Sequence, residues 1–130
     1  MSAVEVIRRF YQAMHTLDPA GLLETLADDF VGHVSEGLPG GFGGTYVGAD
    51  RMLRECWGPV HQRFGVLPHP REILTTHQGQ VVAVGEYRGT VPRTGRRIVA
   101  AFAHVFRMRA DRIVELRQIT DTAQWAYAVA

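Results

Sequence analysis

Residues 97–121 read RIVAAFAHVFRMRADRIVELRQITD, two runs of alternating apolar residues joined at the polar turn Arg109-Ala110-Asp111-Arg112. Alternation with a period of two marks strands, and a two-residue polar break between such runs marks a hairpin. One face of the first run carries Ile98, Ala100, Phe102, His104 and Phe106. A loop at Ala110-Asp111 pairs Arg109 with Arg112. Counted back from there, it sets His104 opposite Arg117, Phe102 opposite Ile119 and Ala100 opposite Asp121. On that register His104, Arg117 and Asp121 share one apolar face. An imidazole, a guanidinium and a carboxylate among Phe and Ile are unfavourable unless paired or used. This face is the expected functional surface.

Val81 to Val91 and Glu72 to His77 give two more strand candidates, with Val99 to Met108 and Arg112 to Thr120 as the hairpin itself. Pro68-His69-Pro70 reads as a break before them. The N-terminal half is helical instead. Ser2 and Glu5 have capping-box spacing, and Val4, Ile7, Tyr11 and Met14 recur at helical intervals with Phe10 widening the stripe. Asp18-Pro19 is an N-cap with a first-turn proline, opening a short second helix through Leu22, Leu23 and Leu26 that stops at Asp28-Asp29. Phe30, Val31 and Val34 make a brief strand. A third helix carries Met52, Leu53, Cys56, Trp57 and Val60, with Pro59 set to kink or end it. Helices followed by hairpin-linked strands argue an α+β fold, a curled antiparallel sheet packed on three N-terminal helices, with residues 1–130 as one domain.

Gly37 to Gly48 (GLPGGFGGTYVG) is half glycine and is expected to be a loop forming a lid or pocket rim. It fails as a dinucleotide fingerprint, because Tyr46 stands at the third glycine position. Hydrophobic residues are 46% and charged residues 21%, as in an ordinary globular protein. A net charge of +1 leaves no basic footprint for nucleic acid. All 14 basic residues are Arg, which excludes Schiff-base chemistry and a lysine base. The single Cys56 permits no internal disulfide and fits a reducing, cytoplasmic setting. No signal peptide or membrane span is expected. The six histidines lack the paired spacing of a zinc site, so no metal or cofactor is expected.

This order of elements, with LADDFVGH, TYVGAD, TGRR, HVFRM and DRIVELRQITD, resembles the cone-shaped nuclear transport factor 2-like fold. Within it the chain is similar to the SnoaL-like group, which includes small polyketide cyclases and neighbours ketosteroid isomerase and limonene epoxide hydrolase. The resemblance implies a pocket between the concave sheet face and the helices, and a homodimer through the convex face. It puts Asp121 where cyclases hold their acid/base aspartate and His104 on the strand of the pocket histidine. The isomerase pattern fails at two positions, where Val34 and Phe10 replace its base and its tyrosine. The hydrolase pattern lacks a second aspartate, Glu86 being the nearest substitute.

The expected function is therefore a cofactor-independent enzyme acting on a hydrophobic, carbonyl-bearing, polyketide-like molecule by intramolecular aldol cyclisation or isomerisation. Asp121 would move a proton, its pKa raised by an apolar cleft. His104 or Arg117 would stabilise an oxyanion. His33, Tyr46, Trp57, Phe102, Tyr11, Met14, Tyr87 and Ile119 are the candidate substrate contacts. The other readings are a non-catalytic binder of hydrophobic small molecules or dimerisation module, and, more remotely, epoxide opening.

Overall fold

The computed structural model describes residues 1–130. Its first helix, α1 (Ala3–His15), is capped as the Ser2–Glu5 spacing demands: the Ser2 hydroxyl accepts the Glu5 N–H and faces the Glu5 carboxylate. Val6, Ile7, Phe10, Tyr11 and Ala13 form its buried face. The Asp18 carboxylate accepts the Gly21 N–H and opens α2 (Pro19–Glu24). That helix is shorter than expected. Thr25 closes it by donating its hydroxyl to the Leu22 carbonyl, and the Thr25 carbonyl accepts the Ile113 N–H. The chain is thereby drawn into a ladder, and residues expected to be helical begin the strand β1 (Leu26–Val34).

Part of the glycine-rich segment is also a strand. β2 (Gly44–Val47) pairs antiparallel with β1, and Tyr46 points inward to donate its hydroxyl to the Phe42 carbonyl. The next helical stretch runs as α3 (Ala49–Met52), a π turn (Leu53–Trp57) and α4 (Gly58–Phe64). Pro59 neither ends nor breaks it. Proline lacks the N–H that an α-helical ladder needs, and the helix absorbs the lost bond by widening just before it. The Gly58 N–H reaches back five residues to the Leu53 carbonyl. Gly65, at φ +67, then stops α4 in the left-handed conformation that glycine adopts without strain.

Four long strands complete the sheet: β3 (Val66–Thr75), β4 (Val81–Thr90), β5 (Arg97–Arg109) and β6 (Arg112–Thr120). Their spatial order is β2-β1-β6-β5-β4-β3. β3 begins six residues earlier than expected and runs straight through Pro68 and Pro70. It can do so because it is an edge strand, where a missing backbone donor faces outward. All pairs are antiparallel except β1–β6, which is parallel. A fifth helix, α5 (Thr122–Val129), follows β6 and seats Trp125 in the core against Phe64 and Tyr87. The fold is α+β, with a six-stranded curled sheet whose concave face packs on the helices.

The β5–β6 register decides which residues enter that concave face. Arg109 pairs with Arg112 and Met108 with Ile113, as the hairpin turn requires. Between Met108 and Arg107 the ladder slips, so that Arg107 faces Glu115 and Val114 is left over. This β-bulge exchanges the two faces of β6 beyond it. His104 therefore pairs with Gln118, Phe102 with Thr120 and Ala103 with Ile119. The expected common face of His104, Arg117 and Asp121 does not form.

Candidate active site

His104, at 2% exposure, is buried beneath α1 and is the one histidine in the core. Its ring stacks on Phe102 at 4.0 Å between centroids and meets Phe106 edge-on. Both nitrogens are engaged. Nδ1 lies 2.7 Å from the Tyr11 hydroxyl and Nε2 lies 2.7 Å from the Tyr87 hydroxyl. Gln118, the true cross-strand partner, donates its amide N–H to the Tyr87 oxygen at 3.0 Å. Its amide orientation follows from the Ser35 backbone N–H, which its Oε1 accepts at 3.1 Å. An N–H can only donate, so the other end of the amide must be the NH2.

Burial without a charged partner holds this imidazole neutral, its pKa pushed down to about 3. Both tyrosines are shifted upward, Tyr11 by burial and then by the nearby Tyr87, and Tyr87 by burial against an opposing hydrogen bond from Gln118. At neutral pH the three rings carry no net charge but hold three exchangeable protons. Such a group can donate hydrogen bonds, not compensate a full charge.

A cavity of about 40 Å³ opens onto Tyr87, His104 and Gln118 and is otherwise walled by apolar side chains, among them Phe10, Leu38, Cys56 and Leu116. Outside it, between the end of α1 and the π turn, lies an almost wholly apolar hollow of about 180 Å³ that includes Leu17, Leu22 and Leu53. Met14, Trp57, His61 and Leu67 line both spaces and form the partition between them. His61 places Nδ1 3.0 Å from the Val66 carbonyl, which can only accept. In the neutral ring Nδ1 thus carries the hydrogen, and Nε2 keeps a lone pair.

Of the expected site residues, the fold gathers His104, Tyr11, Tyr87, Phe102, Met14 and Trp57 around one centre. Tyr46 is inward but packs beside Cys56, and burial pushes both hydroxyl and thiol up to about 12. Four others stand elsewhere. Arg117 and Ile119 are exposed on the outer sheet face, because the Val114 bulge turned them over. Asp121 is exposed at the β6–α5 junction, where its backbone caps α5 and its side chain caps nothing. His33 is also outside, with Nε2 2.8 Å from Glu115, because Gly32 and not His33 takes the inward position against Met52. Gln118 and His61 were not among the expected residues. Only the register reveals Gln118, and His61 stands on α4 just past the π turn, at the wall shared by the two spaces.

This fold and buried centre define the class, an NTF2-like α+β cone. An NTF2-like protein from Burkholderia thailandensis E264 aligns over 100% of this chain and 98% of its own, with TM-score 0.89 and 29% identity. One of unknown function from Burkholderia pseudomallei K96243 aligns over 100% and 99%, with TM-score 0.89 and 28% identity. TerC, co-crystallised with polyporic acid, aligns over 98% and 97%, with TM-score 0.87 and 26% identity. No curated protein matches the chain. The family model of the SnoaL-like domain matches residues 7–116, and the chain belongs to that family.

Proposed function

We propose that the protein is a cofactor-independent acid/base enzyme that moves a proton at the carbon next to a carbonyl of a hydrophobic small molecule. The observation that carries this reading is the pair of tyrosine hydroxyls, 2.7 Å from the two nitrogens of a buried neutral histidine at the inner end of an apolar cavity. A carbonyl oxygen seated there would accept from Tyr87, whose oxygen is already held by Gln118. Donors fixed in a dry site stabilise the charge that develops on an enolate oxygen. His61 at the mouth, with Nε2 as a lone pair, would take the α-proton. The carbon–hydrogen bond breaks toward His61 while Tyr87 donates to oxygen, and the resulting enol or enolate is the nucleophile of an aldol closure. The SnoaL-like family and the polyporic acid held by TerC support a polyketide-like, carbonyl-bearing substrate.

In this reading Asp121 and Arg117 stand outside the chemistry. The cavity beside His104 is smaller than such a substrate, so binding moves Trp57 and Met14 and joins the two spaces. The test needs no knowledge of the natural substrate. Incubation of 1-phenylbutane-1,3-dione in D2O with the protein should speed deuterium entry at the central carbon over the buffer rate. A rate equal to buffer, with the ketone bound, would sink the enzyme and leave a binder.

The outer face supports the dimer that the family resemblance implies. Val84, Ala103 and Ile119 lie side by side across β4, β5 and β6, with Val84 and Ile119 exposed. Sedimentation of Ile119→Asp beside the wild type tests this, a dimer becoming a monomer.

A further inference from the structure

The hydrogen bonds around His104 can be counted, and the count admits two arrangements. Gln118 donates to Tyr87 in both, since Ser35 fixes its amide. A neutral imidazole has a single N–H. With the hydrogen on Nδ1, His104 donates to Tyr11 and accepts the Tyr87 hydroxyl hydrogen, and the Tyr11 hydrogen is released. With it on Nε2, His104 donates to Tyr87 and accepts from Tyr11, and the Tyr87 hydrogen is released instead. Each arrangement satisfies both ring nitrogens with the same heavy-atom positions. They differ in which end of the chain has a proton to give.

The two ends open in different places. Tyr87 borders the cavity, together with His104 and Gln118. Tyr11 does not. It forms part of an open groove of about 440 Å³ on the flank of the molecule, between Arg8, Gln12 and His15 of α1 and Arg71 and Ile73 of β3. The two hydroxyls are joined only through the imidazole, each at 2.7 Å. The groups packed on that imidazole from α1, β4, β5 and β6 are Tyr11, Tyr87, Phe102, Phe106 and Gln118, with no acid or base that could hold a charge on it.

We infer that Tyr11, His104 and Tyr87 form a proton relay connecting the interior of the cone to the groove beside α1. The inference rests on the acid/base reading above. When Tyr87 gives its hydrogen to a ligand oxygen, it takes the Nε2 hydrogen of His104. His104 takes the Tyr11 hydroxyl hydrogen on Nδ1, and Tyr11 is refilled from water in the groove. One proton enters from solvent, one leaves to the ligand, and no ring remains charged. The chain resets by running in reverse: when the enol oxygen returns its proton to Tyr87, Nε2 takes the Tyr87 hydroxyl hydrogen, Nδ1 gives its own to Tyr11, and Tyr11 releases one to the groove. The α-proton taken by His61 leaves through the apolar hollow, so the two protons of an enolisation use separate routes. Tyr11 is here a positioning and relay residue and does not touch the ligand.

The relay can be read without a substrate, in the full chain labelled with 15N-histidine. Wild-type His104 should give ring nitrogens at intermediate shifts, both neutral tautomers being populated between pH 5 and 8. Tyr11→Phe should lock the ring as Nε2–H, because an unpaired lone pair is easier to bury than an unpaired N–H. Tyr87→Phe should lock it as Nδ1–H. Exchange of the His104 ring N–H with water should slow at least tenfold in Tyr11→Phe. A single tautomer shared by wild type and both variants, or unchanged exchange in Tyr11→Phe, overturns the relay. Should a variant fail to fold, the wild-type shifts decide alone, since one fixed tautomer excludes a reversible chain. A mobile imidazole in a protein that exchanges no ketone proton keeps the relay and removes the enzyme. A fixed imidazole in an active protein does the reverse.

Discussion

His104 and His33 stand on opposite faces of one sheet, and their surroundings make them different chemical objects. His104 has two neutral tyrosines as partners, is almost wholly buried and has no counter-charge beside it. His33 has Glu115 at 2.8 Å and Thr45 at 3.3 Å, with about a third of its side chain in solvent. Glu115 is in turn held by Arg107 at 3.1 Å, and its carboxyl stays below the usual range chiefly through the His33 hydrogen bond. The inner site fixes protons without charge, and the outer one fixes charge at a wet surface. A hydrogen bond buried in a low dielectric is expensive to orphan, whereas an exposed ion pair is worth little.

The largest effect that would break this contrast comes from deleting each ring. His104→Leu leaves the Tyr11 hydroxyl without its partner and removes one from Tyr87. Each buried orphan costs ~1–3 kcal/mol, so a loss of about 3 kcal/mol is expected in urea unfolding. His33→Leu should lose less than ~1 kcal/mol in the same experiment. Equal losses would mean that the inner network is no more than packing.

Acid sharpens the same contrast. The folded pKa of His104 lies below its ordinary value of 6.5, at about 3, so the unfolded chain takes up this proton first as pH falls. Stability from the neutral ring is complete above about 6.5 and is lost as pH drops toward 3. The slope is ~1.4 kcal/mol per pH unit. Urea midpoints of wild type between pH 7 and 4 should follow it, and His104→Gln should flatten it.

A smaller effect tests how tightly the inner face is filled. A Cβ on Gly32 would lie 2.6 Å from the Met52 sulfur and 3.3 Å from Phe30. Gly32→Ala should therefore destabilise by ~1–3 kcal/mol through overpacking, seen as a lower thermal midpoint. Smallest is Glu115→Gln on the outer face. Its half-wet ion pairs should contribute under ~1 kcal/mol at low salt. Because the folded carboxyl is depressed, that contribution exists above the ordinary pKa of 4.5 and fades as pH falls below it.

Much of the architecture could be read from the chain because local chemistry and tertiary structure agree there. Ser2, Asp18 and the Ala110-Asp111 turn act as their types suggest, and β4, β5 and β6 lie close to where alternation puts them. The errors arose where a long-range partner overruled a local pattern. Leu26 to Asp29 became the start of β1, anchored by Leu26 pairing with Ile113 of β6, and Pro68 and Pro70 were tolerated because β3 has no outer neighbour. The site was legible as far as His104, Tyr11 and Tyr87, aromatic or titratable residues on inward positions. It failed at one unpaired residue, Val114, which reversed the parity of everything after it. The signal was present: without a slip, Glu115 and Arg117 would both face the core, and two buried charges argue for a bulge that puts Leu116 and Gln118 there instead. His61 carried no comparable mark, since its role depends on a hydrogen bond to Val66 across the end of α4.

In the proposed function, the buried tyrosine–histidine–tyrosine centre and not the strand-end carboxylate supports the proton chemistry. This is tested most directly by comparing deuterium entry into 1-phenylbutane-1,3-dione catalysed by His104→Gln and by Asp121→Asn, each beside the wild type. A loss of about a hundredfold or more is expected for His104→Gln, the scale of an oxyanion-stabilising donor disabled, because the Tyr87 hydroxyl loses the ring that aligns it, and a rate within about twofold of wild type for the exposed Asp121. Loss of exchange in Asp121→Asn with His104→Gln unimpaired would contradict it.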